Sequence, residues 1–345
     1  MSPTIYTIIL TSLATGTIIT MTSHHWLMAW IGLEINTLAI IPTISTTHHP
    51  RSTEAATKYF LTQAAASALI LFSSMINAWQ TGSWDISHLS STPAHILLTM
   101  ALAMKLGLAP FHFWLPEVLQ GSTMNTALII TTWQKLAPMS LIFLTVNNLS
   151  TTILLTMGLM SSLIGGWAGL NQTQTRKIMA FSSIAHLGWM ATISSIMTNI
   201  LMLNLLIYLI MTTCMFSLLI ITKSKTIQNT TTIWTLSPTI TITMMLTLLS
   251  LGGLPPLTGF MPKWFIMEEL INQSLTPIIT MMALSSLLSL FFYIRLAYTT
   301  TLTLSPNTTQ TKFKWRFFPN TKSATIMIPA MITIFMLPLT PTILM

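Results

Sequence analysis

One eleven-residue skeleton that occurs twice constrains this chain more than any other feature. The first copy is Gly107-Leu108-Ala109-Pro110-Phe111-His112-Phe113-Trp114-Leu115-Pro116-Glu117, and the second is Gly253-Leu254-Pro255-Pro256-Leu257-Thr258-Gly259-Phe260-Met261-Pro262-Lys263. Both read Gly-Leu-x-Pro, three residues, an aromatic, one residue, Pro and a charge. Each copy interrupts a long apolar segment, where a proline removes a helical hydrogen bond and costs about 3 kcal/mol unless neighbouring groups satisfy the freed backbone. Matched Gly/Pro breaks in two halves of an apolar chain are the signature of a transporter built from internal repeats, with its ion path at the breaks. Two unrelated proline kinks are the plainer alternative, since proline is common in membrane helices.

The apolar setting is not in doubt. Charged residues make up 6% of the 345, against 52% hydrophobic, whereas soluble domains carry about 25% charge. The chain reads as an all-α polytopic membrane protein. Its first apolar segment starts directly after Met1 with no basic leader or cleavage-type site, so neither a signal nor a transit peptide is expected. Cys214 is the single cysteine. It lies in an apolar run and reads as a packed core thiol, which excludes disulfides and an iron–sulfur cluster held by this chain. No basic patch interleaved with aromatics suggests nucleic acid.

Apolar windows of about 20 residues, matched to a hydrocarbon layer of about 30 Å, predict eleven spans, over 3–22, 26–46, 56–79, 95–115, 124–146, 151–170, 177–197, 199–222, 238–266 (broken), 276–302 and 324–344. Connections are short; the longest polar stretches run from Thr81 to Pro93 and from Leu304 to Ser323. Loops after even-numbered spans carry ten basic residues: Arg51, Lys58, Arg176, Lys177, Lys223, Lys225, Lys312, Lys314, Arg316 and Lys322. Those after odd-numbered spans carry only Asp85, Glu268 and Glu269. The positive-inside rule then puts the N-terminus and the even loops on the side from which the chain is inserted, and the C-terminus on the other.

Of fourteen Lys and Arg residues, four remain inside the spans: Lys105, Lys135, Lys263 and Arg295. Glu34 and His186 join them. An ionisable group at the centre of a membrane helix costs about 2.5 to 3.5 kcal/mol, which makes these residues candidates for an ion path; a structural ion pair is the alternative for Glu34 and Lys135. A desolvated lysine can load and release a proton near neutrality, whereas a guanidinium stays charged. We therefore expect Glu34, the only mid-membrane carboxylate, to pair with Lys105. Lys105 stands two residues before Gly107, where the carbonyls freed by the first break could receive its ammonium, and Lys263 stands on the far limb of the second. Arg295, near a span end, is either a snorkelling anchor or a path residue.

His112 and His186 could relay protons, since imidazole titrates near neutral pH; a hydrogen-bonded core histidine is the alternative for each. His24-His25 and His48-His49 lie at span ends with no ligand-spaced carboxylate or thiol, so no metal site is expected. The stretch Gly165-Gly166-Trp167-Ala168-Gly169 predicts close helix packing rather than phosphate binding. Trp26, Trp30, Trp79 and Trp84 read as interfacial anchors.

Four strings are recognisable: residues 50–60 (PRSTEAATKYF), 104–117 (MKLGLAPFHFWLPE), 169–177 (GLNQTQTRK) and 251–264 (LGGLPPLTGFMPKW). Together they resemble the antiporter-like membrane-arm subunits of respiratory complex I, the NADH:ubiquinone oxidoreductase, in their vertebrate mitochondrial form, and the likeness extends over essentially the whole chain. It implies two inverted five-helix repeats, taken as residues 1–147 and 148–303, followed by a loop and C-terminal helix over 304–345. It also implies a row of ionisable groups comprising the pair Glu34 and Lys105, a middle Lys135 and a terminal Lys263, with His112 and His186 at further polar positions. NADH, FMN, iron–sulfur clusters and ubiquinone would belong to other subunits. The expected partners are neighbouring membrane-arm chains and lipid, cardiolipin included. The expected location is the mitochondrial inner membrane, N-terminus in the matrix and C-terminus in the intermembrane space. Bacterial relatives have additional N-terminal spans, whose place would be covered by partner subunits. A self-standing cation/proton antiporter and a non-conducting spacer are the rival readings.

Overall fold

The computed structural model describes residues 2–235, 237–302 and 324–339. Lys312, Lys314, Arg316 and Lys322, and the end of the eleventh expected span, lie outside the described residues. Within these, regular structure is helical apart from isolated bridges pairing His25 with Asp85 and Gln174 with Thr226. The chain divides into two compact units, one of residues 1–161 with 190–198 and one of residues 162–189 with 199–345.

The first unit holds α1 (Pro3–Thr22), α2 (Trp26–Ile44), α3 (Pro50–Thr81), α4 (Thr92–Leu106), α5 (Trp114–Gly121), α6 (Met124–Thr131), α7 (Trp133–Thr145) and the start of α8 (Thr151–Gly169). The second holds the rest of α8, most of α9 (Thr175–Ser194), α10 (Thr198–Thr222), α11 (Ile227–Thr230), α12 (Pro238–Gly252), α13 (Phe260–Asn272), α14 (Thr276–Thr301) and α15 (Ala324–Phe335). Among the described residues seven helices are long and apolar enough to cross a membrane: 3–22, 26–47, 50–81, 124–148, 151–169, 198–222 and 276–301. The interrupted segments fall short because each break stops its first limb, α4 or α12, after 15 residues.

A threonine- and serine-rich chain fits an apolar layer because its hydroxyls fold back on their own helices. Thr20, Ser73, Thr145, Thr212 and Ser250 donate to the carbonyls of Thr17, Ile70, Leu141, Tyr208 and Thr247, so each of these buried hydroxyl hydrogens has an acceptor. Small residues then let helices meet. A Cβ on Gly16 of α1 would stand 2.9 Å from the Gly32 carbonyl of α2. In the second unit a Cβ on Gly165 would meet the Ala185 nitrogen at 2.7 Å, one on Gly166 Leu288 at 2.9 Å and one on Gly169 Phe292 at 2.8 Å. The glycine cluster thus seats α8 against both α9 and α14, the packing role its spacing predicts. Cys214 is fully buried in α10.

Some expected boundaries move. Arg51 and Lys58 lie on α3 rather than in a loop, because His49 caps that helix through Arg51 N–H to Nδ1 at 3.2 Å and Ser52 Oγ accepts the His49 N–H. Lys58 then sits one turn beyond Glu54 and pairs with it at 2.5 Å. Arg176 and Lys177 likewise open α9, and Glu268 and Glu269 lie on α13. Within the first unit Gly121 packs on the Arg51 carbonyl, while Asp85 bridges to His25 at the other ends of α2 and α3, so Arg51 and Lys58 lie at the end opposite Asp85, with Glu54 and Glu117 paired to Lys58. Trp26 is not an interfacial anchor: it is 1% exposed, packed in the core, whereas Trp79 is 91% exposed.

Candidate functional site

In the first unit α4 ends at Leu106 because Gly107 takes φ 80°, ψ 39°, a left-handed conformation that a side chain would penalise. Its N–H turns back to the Ala103 carbonyl at 2.9 Å, and Leu108 N–H reaches the same carbonyl at 2.9 Å. The Gly107 N–H also reaches the Met104 carbonyl at 3.2 Å, and side chains supply the remaining donors. Trp114 Nε1 serves Met104 at 3.3 Å, and the Lys135 ammonium serves Leu106. Lys105, the lysine that the sequence places beside this break, does not take this place. Its Nζ is buried without a hydrogen-bond partner. The reason is directional: helical side chains lean toward the N-terminus while the freed carbonyls face the C-terminus, so a lysine in the last turn points away from them.

Lys135 reaches the break because its own segment is interrupted at Thr132, between α6 and α7. Thr132 N–H and Oγ1 both bond the Leu128 carbonyl, at 3.0 and 2.7 Å, and Lys135 N–H tightens back onto Thr132 at 3.2 Å. Pro138 then has no N–H for the next turn.

Lys105 and Lys135 share a cavity of about 10 Å³ with Asn36, Tyr59, Gln63 and Gln134 among its lining, room for about one water. Gln134 Nε2 donates to Asn36 Oδ1 at 2.8 Å and Tyr59 Oη donates to Gln134 Oε1 at 3.4 Å. Trp114 presents its face 5.7 Å from Lys135 Nζ and takes the Tyr59 ring edgewise at 5.7 Å. Glu34, half-buried on α2, does not line this cavity. Among the described residues it forms no ion pair within 4.0 Å, although Lys105 and Tyr59 are both within its electrostatic reach. Its Oε2 is buried without a partner. His112 lies in the break itself, against the Phe113 ring at 4.3 Å, and does not line the cavity.

The second unit repeats the local device with different parts. Gly253 takes φ 80°, ψ 46° and closes α12, its N–H returning to Ser250 at 3.0 Å. Lys263 Nζ donates to the Gly252 carbonyl at 3.0 Å. Gly252 precedes its left-handed glycine as Leu106 precedes Gly107, so corresponding carbonyls of the two breaks each receive an ammonium. A Cβ on Gly253 would stand 2.9 Å from Lys263 Nζ, so glycine is required there for the turn and for the lysine's passage. His186 of α9 stands beside the Leu251 backbone and within electrostatic reach of Lys263. Its Nε2 is 3.4 Å from Tyr293 Oη, and its ring packs 5.7 Å from that of Tyr208. Ser183 and Ser182, whose hydroxyls donate to the Ala180 and Met179 carbonyls of their own helix, stand beside Tyr208 and Tyr293. Thr258 Oγ1 ties this break to the Thr333 carbonyl of α15 at 2.6 Å.

Arg295 is an anchor: Nη1 and Nη2 donate to Leu170 and Gln172 carbonyls just beyond α8, each at 2.6 Å. No cluster of three or more metal-ligating side chains occurs among the described residues; His25 and His49 cap α2 and α3 instead. The sequence reading passed over Tyr59, Tyr208, Tyr293 and Gln134. The available signal is that Tyr208 and Tyr293 fall well inside predicted spans in apolar surroundings, where an unpaired hydroxyl is costly; Tyr59, near the start of its span, carries no such signal.

Two lysine-capped helix breaks in an all-helical membrane chain define a membrane subunit of the antiporter type, and residues 23–289 match the family described as NADH:quinone oxidoreductase/Mrp antiporter, transmembrane. Residues 290–344 match the NADH dehydrogenase subunit 2 C-terminus. The chain is 56% identical over 341 residues to NADH-ubiquinone oxidoreductase chain 2 of Varanus timorensis, covering 99% of each. It belongs to the NADH-ubiquinone oxidoreductase chain 2 family. Among solved structures, a chain of respiratory complex I from Thermus thermophilus is 25% identical, with a TM-score of 0.86 over 97% of this chain and 78% of that one. A chain of the Mrp complex from a Dietzia species shares the fold at 15% identity, with a TM-score of 0.78 over 87% of this chain and 61% of that one.

Proposed function

We propose that this chain is a proton-translocating core subunit of the membrane arm of respiratory complex I in the mitochondrial inner membrane, coupling electron transfer from NADH to ubiquinone to proton pumping. The observation that carries the reading is the pair of lysines, Lys135 and Lys263, each donating to the corresponding carbonyl of a broken helix. A protonated lysine there stabilises the break, and a neutral one holds the carbonyl less strongly, since charged donors make the stronger hydrogen bonds. Proton occupancy and backbone are thereby linked in each half-site.

In this reading the chain crosses the membrane eleven times as two inverted five-helix repeats, residues 1–147 and 148–303, followed by a loop and a C-terminal helix. Charge segregation within the first unit supports a matrix-facing N-terminus and a C-terminus in the intermembrane space. Glu34 and Lys105 change partners when neighbouring membrane-arm subunits change charge state; protons pass by way of Lys135 and leave near Lys263, with His186 as a relay in the second half-site and His112 at the first break. NADH, FMN, iron–sulfur clusters and ubiquinone act in other subunits, and lipid, cardiolipin included, surrounds the chain.

The test is the proton-to-electron ratio of the intact complex carrying Lys135→Met or Lys263→Met. We expect the ratio to fall while electron transfer persists; an unchanged ratio in both variants leaves only a spacer. The likeness to the Mrp chain favours one rival, a self-standing cation/proton antiporter. Reconstituted alone in liposomes, such a protein would exchange sodium for protons, whereas a complex I subunit is expected to be silent.

A further inference from the structure

The first half-site has a gap that its lysines do not close. Glu34 neither pairs with Lys105 nor lines the cavity that Lys105 and Lys135 share. A carboxylate that exchanges protons with those amines needs a carrier between α2 and the cavity. Asn36 and Gln134 line the cavity, but an amide does not take up and release a proton at ordinary cost.

Tyr59 has what is required. It is 1% exposed, on α3, and it lines the cavity together with both lysines. Its ring is fixed edge-on against Trp114 at 67°. Among the described residues its hydroxyl has one long contact, 3.4 Å to Gln134 Oε1, near the outer limit of a hydrogen bond. The O–H can therefore turn without giving up a strong bond, and Glu34 lies within its electrostatic reach.

We infer that Tyr59 is a proton-relay residue joining Glu34 to the cavity of Lys105 and Lys135. No hydrogen bond joins Glu34 to Tyr59 in the present structure, so transfer begins when the Glu34 side chain swings toward α3 or a water bridges the two; the O–H bond of the protonated Glu34 then breaks as a new O–H bond forms on the Tyr59 oxygen. The original phenolic O–H breaks as its proton forms an N–H bond on a neutral lysine amine, directly or through the single water the cavity admits. Glu34 ends as carboxylate, the lysine as ammonium and Tyr59 as the same neutral phenol, so no phenolate forms in an apolar site. The present contact with Gln134 is the resting position of the hydroxyl.

The inference rests on the proposed proton path, and the experiment separates the two. Tyr59→Phe keeps the ring on Trp114 and removes only the relay oxygen; Lys135→Met is made in parallel, both in the intact complex in liposomes. We expect Tyr59→Phe to lower the proton-to-electron ratio as far as Lys135→Met does, at retained assembly and electron transfer, with proton transfer through this chain slowed about 100-fold, the low end of what a positioned proton-transfer group contributes. Tyr59→His, which restores a group that can pass a proton, should recover part of the ratio. If Lys135→Met lowers the ratio and Tyr59→Phe does not, the relay is wrong and the path stands; if neither lowers it, the path itself is wrong. Loss of assembly in both Tyr59 variants would also overturn the relay and make the hydroxyl structural.

Discussion

Gly253 shows how one missing methyl group can serve two demands. An L-residue forced into the left-handed region costs about 1–2 kcal/mol, and at Gly253 a Cβ would also press on the Lys263 ammonium. Gly82 closes α3 at φ 72° with nothing within 4 Å of where a Cβ would stand, so it isolates the backbone penalty. We expect Gly82→Ala to lower thermal stability by about that amount, and Gly253→Ala to cost more and to weaken pumping as well. Thermal unfolding of the purified complex, read beside the proton-to-electron ratio, checks both. Lys105 and Lys135 make the same point about direction: both are lysines in apolar spans, but only the one on another helix can turn its ammonium to the open end of α4.

Helices α8 and α14 are joined by a different use of positive charge. Arg295 of α14 fills two carbonyls past the end of α8 with charge-assisted bonds of 2.6 Å, each worth about 1.5–3 kcal/mol. Arg295→Leu should therefore reduce assembly, measured by native electrophoresis, while the complex that does assemble pumps at the normal ratio; a lowered ratio in assembled complex would return Arg295 to the path. The helices themselves were largely legible. Among the described residues apolar length located the seven helices that are long and apolar enough to cross a membrane, and the doubled Gly-Leu-x-Pro skeleton located both breaks. The interruption at Thr132 was not legible, because its cause is a threonine bonding to its own helix and a proline six residues later, neither of which stands out in a chain rich in both. The partners of each lysine were equally hidden, since they depend on which helix lies across from which break.

For the chain as a whole, the distribution of charge makes a prediction about sidedness. Lys58 lies toward the end of the first unit where Gly121 packs on Arg51, and Asp85 lies at the other. Cys214, the single thiol, is fully buried, so in a Cys214→Ser background a cysteine placed at either position can be labelled without interference. We expect Lys58→Cys to react only with a membrane-impermeant reagent on the matrix side, and Asp85→Cys only with one on the opposite side. Labelling of both from one side would overturn the proposed orientation.

The two ammonium contacts differ in where the lysine comes from. Lys263 belongs to the limb that continues its own broken helix, so donor and acceptor travel together when that segment shifts. Lys135 belongs to α7, a separate rod, and its grip on α4 is lost as soon as one rod slides against the other. Sliding of α7 against α4 would thus stretch the first contact, whereas the second answers to bending at the Gly253 break that lies between its donor and its acceptor.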